Sequence, residues 1–207
     1  MVPTDCWVEM DWDTFVSQSE APALEKAKGY YHLGYGRFEN LPVGFVHASD
    51  HAMVSTAISL FCILKSVPMR MASRGSYRKV GLTACQPNLS AYVHDNVSEI
   101  STATDFASLD TFPTPALSVE VSDTSLIDDL GSKRLLYEEL NFGEYWVVDV
   151  KKAEASAFKI ADQGSQKIRT SLVLPGFELD VLEEALRKSR KLYQSQVGAW
   201  LMEQFRP

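Results

Sequence analysis

Glu120 stands inside the apolar run LSVEVS at residues 117–122, and Lys133 interrupts an apolar helical stripe in the segment that follows. An acid and an amine placed in this way have two uses. They can form a buried ion pair that the fold tolerates, or they can serve a phosphodiester-cleaving centre, the acid holding a divalent cation and the lysine orienting the attacking water. The second use needs another acid from another strand, because Mg²⁺ is bound through carboxylates and water in an octahedral shell.

Side chains alternate along a strand, which puts Leu117, Val119 and Val121 on one face and Ser118, Glu120 and Ser122 on the other. Downstream, Leu126, Leu130, Lys133, Tyr137 and Leu140 follow the helical period as one stripe, with Lys133 its one charged member. A stripe packed on a sheet aims that ammonium inward, where it must find a partner. Glu120 is one candidate. Asp129, one turn earlier, is another, and the lysine can also extend to the rim along its aliphatic stem. The residues alone favour these structural uses, since ion pairs on helix faces outnumber active sites.

The elements that must position the pair form a strand, helix, strand order over residues 116–150, with a helix expected over 124–141 and EYWVVDV as a buried strand. Such a βαβ unit makes a mixed α/β sheet the expected architecture. Upstream, APALEKAKG reads as a short helix ended by Gly29, and YYHLGYGRFENLPVGFVHA as a strand pair. Ser49 or Asp50 is the expected cap of a helix carrying Met53, Ala57, Leu60, Phe61 and Leu64, followed by short strands and a polar loop over 95–114. ELDVLEEALRKSRK reads as an amphipathic helix and VGAWLMEQF as an apolar tail.

At 207 residues the chain fits one domain, and its formal net charge of −7 argues against coating nucleic acid or anionic membrane by bulk charge. Cys6, Cys62 and Cys85 form neither a CxxC pair nor an even set, so a reducing cytoplasm is the expected compartment. The acidic N-terminus lacks the pattern of a targeting segment, and the apolar run from Met53 to Leu64 is too short to span a bilayer.

With the elements in this order, QPNLSAYV and PALSVEVSDTSLIDDLGSKRLLYEELNFGEYWVVDV resemble the Uma-type "putative restriction endonuclease" family, a bacterial group with the PD-(D/E)XK nuclease fold. GRFENLPVGFVHASDHAMV and LRKSRKLYQSQVGAWLMEQF are similar to one subgroup of it, so the resemblance runs from about Tyr30 onward. V-E-V, D-x-x-x-K, L-Y and E-Y-W-V-V-D are specific in combination. The resemblance implies a restriction-endonuclease-like mixed β-sheet flanked by helices. It implies a single domain over 1–207, with an N-terminal extension at 1–28 and a helical tail at 189–207. It also implies a Mg²⁺-dependent endonuclease acting on DNA, with Mn²⁺ as a substitute ion.

Carried over by position, Glu120 is the metal-binding glutamate of V-E-V and Lys133 the family's lysine, moved from the strand to the helix and held there by Asp129. Ser122 stands where the superfamily's usual E-x-K lysine would be. Glu39 is implied as a further acid near the metal, an exposed turn acid being its plainer use. Where the family has Pro-Asp, this chain has Pro87-Asn88. Asn88 brings an oxygen to the metal position but no negative charge, which points to the alternative of a catalytically inactive nuclease fold that binds nucleic acid or a partner. Asp50 and Asp95 are the first acids to consider as replacements.

Other candidates carry less. His47 and His51 have the i, i+4 spacing of two zinc ligands, but no third ligand is evident and the expected cap lies between them. Arg187, Lys188, Arg190 and Lys191 could steer phosphate or form a solvated helix face. Trp200, Leu201 and Phe205 pack either on the chain itself or on a second copy in a homodimer.

Overall fold

The computed structural model describes residues 2–24, 26–40, 44–94 and 106–206. In chain order the elements are β1 (Val8–Glu9), α1 (Trp12–Ser19), β2 (Lys28–His32), β3 (Tyr35–Glu39), α2 (Phe45–Lys65), β4 (Met69–Ser73), β5 (Tyr77–Lys79), β6 (Thr83–Cys85), β7 (Leu89–Val93) and β8 (Ala107–Ser108). They continue with β9 (Leu117–Ser122), α3 (Leu126–Leu130), α4 (Ser132–Glu139), β10 (Glu144–Asp149), β11 (Glu154–Ala161), β12 (Gly164–Ile168), α5 (Leu179–Ser189) and α6 (Gln194–Gln204). The α/β class and the βαβ unit are as expected, but the strands form two six-stranded sheets instead of one. The first runs β1-β3-β2-β6-β5-β8 and the second β12-β11-β10-β9-β7-β4.

In the second sheet β9 and β10 are parallel and α3 and α4 make the crossover between them. All six residues of β9 are buried, as in a strand covered on both faces. Leu117, Val119 and Val121 join the largest apolar cluster with Met53, Phe61, Trp146 and Phe177. Glu120, at the neighbouring position, faces the opposite way, toward a cluster built by Tyr30, Tyr137, Tyr145 and Val147. The first sheet brings β2 and β3 over that polar face.

Three boundaries differ from the sequence expectation. The segment before Gly29 is a series of turns, with Leu24 N–H donating to the Ala21 carbonyl and Ala27 N–H to that of Leu24, so Lys28 opens a strand instead of closing a helix. Helix α2 begins at Phe45 after Gly44, leaving Asp50 inside it, buried and bound by Arg190 through a bidentate pair. That pairing removes Asp50 as a replacement metal ligand, and Asp95 lies outside the described residues. The expected helix over 124–141 is broken at Gly131, where φ is −109° and ψ −103° and a Cβ would come within 2.9 Å of the Ile127 carbonyl oxygen. Helix α6 packs its Val197 and Leu201, with Phe205 just beyond its end, into the chain's own core against Phe61 and Phe177.

Among the described residues no helix is long and apolar enough to cross a membrane. Cys6 is exposed and Cys62 and Cys85 are buried, all three as free thiols.

Candidate functional site

The backbone ladder between β7 and β9 ends at Leu89 opposite Val119, so the next residue on each strand, Asn88 and Glu120, lies where the strands part. Side chains satisfy the backbone there. Asn88 Oδ1 accepts from Val121 N–H at 3.2 Å, and Asn88 N–H donates to Glu120 Oε2 at 3.3 Å. From α2, His47 Nε2 donates to the Val121 carbonyl at 2.7 Å and His51 Nε2 to the Asn88 carbonyl at 3.0 Å. Because the helix starts before them, both histidines lie on it one turn apart, each tied to a carbonyl. His47 Nδ1 is buried with no hydrogen-bond partner among the described residues, and burial lowers the pKa of the ring.

Strands β2 and β3 complete the centre. Their antiparallel register sets Lys28 opposite Glu39 and Tyr30 opposite Arg37, and alternation turns these four toward the second sheet. Lys28 Nζ lies 3.0 Å from Glu120 Oε2, 3.1 Å from Asn88 Oδ1 and 3.5 Å from Glu39 Oε2. Glu120 Oε1 accepts from Tyr137 at 2.8 Å and from Tyr30 at 2.8 Å, the Tyr30 hydroxyl also lying 3.0 Å from the Gln86 carbonyl. Burial, reinforced by the Glu120 charge, pushes both phenols well above their ordinary range, so they remain donors.

Lys133 occupies a neighbouring compartment. Its ammonium pairs with Glu39 at 2.6 Å and Asp129 at 2.8 Å and lies 4.1 Å from the Tyr30 ring centroid. No ion pair joins it to Glu120 among the described residues; the alternative of an i, i+4 pair with Asp129 describes it, with Glu39 added. Burial alone would push the Lys133 pKa down, but Glu120, Asp129 and Glu39 together raise it. Burial likewise pushes the Glu39 carboxyl up, and the ammoniums of Lys133 and Lys28 with the Arg37 guanidinium outweigh it, holding the carboxyl at about 2. Arg37 Nε binds Glu39 at 3.0 Å and Asp128 at 3.3 Å, and Trp7 donates to Asp128.

Two sets of oxygens could in principle hold a divalent ion. The set expected from the sequence is Glu120, Asn88 and Glu39, and Lys28 Nζ already touches all three. The other is Glu39, Asp128 and Asp129, whose carboxylate oxygens lie within 4.8 Å of one another. Lys133 and Arg37 are inserted among those three. Four protein donors surround the Glu120 carboxylate, and Asn88 contributes a neutral oxygen where Mg²⁺ prefers a charged one. Glu120, Asn88 and Glu39, as Lys28 holds them, do not fit a resident divalent ion.

A cleft of about 470 Å³ opens beside the centre and is lined by Lys28, Glu39, His47, His51, Arg74 and Asn88, among others. Glu120, wholly inaccessible, and Lys133, 1 % exposed, do not line it. Of the residues expected at the site, Asn88 and Glu39 therefore meet the cleft, while Glu120 and Lys133 stand behind them. Arg190 is committed to Asp50, and Arg187 and Lys188 to Glu184, and none of Arg187, Lys188, Arg190 and Lys191 lines the cleft.

Lys28, Tyr30, Arg37, Asp128 and Tyr137 belong to the centre and were not singled out from the sequence. Part of the signal was present: Tyr137 shares the Lys133 stripe, and in KGYYH residues 28 and 30 share a strand face, Lys28 being concealed by the helical assignment of residues 21–28.

The sequence profile of the Uma2 family, described as "Putative restriction endonuclease", matches residues 13–192. No curated protein matches the chain. Among solved structures it is similar to "a putative nuclease belonging to DUF820" from Anabaena variabilis ATCC 29413, with a TM-score of 0.53 and 16 % identity. That alignment covers 93 % of this chain and 99 % of the other, a likeness of fold over nearly the full length of both.

Proposed function

We propose that this chain, which belongs to the Uma2 family, binds the phosphodiester backbone of nucleic acid, DNA being the expected polymer, and does not hydrolyse it. Family and fold support a nuclease ancestry. The placement of Lys28 and Asn88 between the cleft and Glu120 supports the loss of metal-dependent hydrolysis: on the side of the cleft that faces Glu120 a substrate meets an ammonium and a carboxamide, and neither deprotonates water. Arg74, whose guanidinium donates to the Lys26 carbonyl at the rim, supplies a phosphate-binding fork.

A second function is favoured by the presence of Glu120 and Lys133 in one fold. Mg²⁺- or Mn²⁺-dependent cleavage of DNA would require Lys28 to withdraw from Glu120, Asn88 and Glu39. Incubation of the chain with labelled duplex and single-stranded DNA in EDTA, Mg²⁺ or Mn²⁺ separates the two. Binding that persists in EDTA with no product in either metal is the expected result. Cleavage that disappears in Glu120→Ala would establish hydrolysis instead, and binding that is undetectable in every condition would remove nucleic acid as the ligand.

A further inference from the structure

We infer that Lys28 is a tethered cation occupying the metal position, so that this centre presents an ammonium to the cleft and excludes divalent ions. This rests on the binding function above only for the identity of what enters the cleft. An ammonium has three N–H donors, and the three side-chain oxygens around Lys28 Nζ come from three separate strands or strand ends: Glu120 at 3.0 Å, Asn88 at 3.1 Å and Glu39 at 3.5 Å. The arrangement is a coordination shell for one small cation. An ion at about 2.1 Å from the same oxygens would overlap the ammonium, so the two are mutually exclusive.

The charge of the shell agrees with the smaller charge of a lysine. Two of its members are carboxylates and the third is a carboxamide, which withdraws one negative charge from the position just where the cation supplies one positive charge fewer than a divalent metal would. Burial fixes the assignment further. Lys28 is 6 % exposed and its ammonium lies 5.3 Å from the Tyr30 ring centroid, so the side chain is packed in place and is not a surface lysine folded inward. What remains accessible of Lys28 and Asn88 is on the cleft side. Phosphate recognition at the cleft is accordingly independent of metal and of chelators.

The double substitution Lys28→Ala with Asn88→Asp exchanges the tethered cation for a third carboxylate and should create an ion site. Titration with Mn²⁺, following the free ion by electron paramagnetic resonance and with no nucleic acid present, is expected to show at least about a tenfold lower Kd in the double variant than in the unaltered chain. An equal or weaker affinity in the variant overturns the inference. If the variant does not fold, crystals of the unaltered chain soaked in Mn²⁺ decide it by anomalous scattering. Absence of a peak within coordination distance of Glu120 or Asn88 is expected, and a peak there overturns the assignment. Because neither measurement contains DNA, a failure here is distinguishable from a failure to bind nucleic acid.

Discussion

Two glutamates on adjacent parallel strands, Glu120 on β9 and Glu144 at the start of β10, are equally inaccessible to solvent and each is surrounded by donors. Those of Glu144 are neutral: the Trp146 indole at 2.8 Å, the Ser171 hydroxyl at 2.8 Å and the backbone N–H groups of Leu172 and Val173 at 2.5 and 3.0 Å. The carboxylate thereby fixes the chain segment that leads to α5. Glu120 is bound instead by two phenols, a backbone N–H and the ammonium of Lys28, which in turn borders a cleft. Burial and hydrogen-bond saturation are common to both sites. The cation and its exposure to a cavity are what distinguish a ligand-facing centre from an architectural one.

The largest expected effects test that distinction through stability. Glu144→Ala leaves four donors unpaired, two of them fully buried, and should cost roughly 3–5 kcal/mol in urea unfolding, and Glu120→Ala should cost about as much by stranding Lys28. A double-mutant cycle separates them. Lys28→Met should couple to Glu120→Gln by roughly 2 kcal/mol and to Glu144→Gln by less than about 0.5 kcal/mol, and equal couplings would break the comparison.

Acid provides a comparably sized probe of the cationic centre. Glu39 is held at about 2 from an ordinary 4.5, so its stabilisation is fully present above the higher value and disappears as pH falls toward the lower. That amounts to roughly 3 kcal/mol, partly offset by Asp128, which burial pushes up and which acts in the opposite sense. Urea midpoints measured across this range should show a steep loss in the unaltered chain and a shallower one in Glu39→Gln. An unchanged slope would mean that Lys28 and Lys133 do not hold Glu39 as described.

The smallest effects concern the two basic regions. Arg74→Ala should weaken DNA binding and lower the slope of log affinity against log salt by about 1, as expected for one phosphate contact. Arg187→Ala and Lys188→Ala break exposed pairs with Glu184, should change stability by less than about 0.5 kcal/mol, and should leave DNA affinity as it was. A stronger effect at α5 than at Arg74 would move the interface away from the cleft.

Periodicity made much of this fold legible. The alternation in LSVEVS gave the two faces of β9, and the strand, helix, strand order gave the parallel pair with β10, because both depend on local patterns that the tertiary structure preserves. The division of the strands into two sheets was not legible, since strand partners far apart in sequence leave no periodic signature. Asn88 was legible as a departure, but its consequence was not. The cation that balances it comes from Lys28, 60 positions earlier, and residues 21–28 looked helical by composition. Lys133 was aimed inward as the stripe required, yet which acids receive it depends on β3 crossing the second sheet, and this brings Glu39 to it instead of Glu120.

The parting of β7 and β9 has a consequence for how the centre can be observed. Val121 lies past the end of the β7–β9 register and its N–H bonds to the side chain of Asn88, so its hydrogen-exchange rate reports on that one carboxamide. Slow exchange at Val121 would record the closed centre residue by residue in solution, without ligand, metal or turnover. In the ladder below it, Leu89 and Val119 would keep time with the sheet as a whole, so the ratio of the two rates measures how often the fork opens independently of the fold.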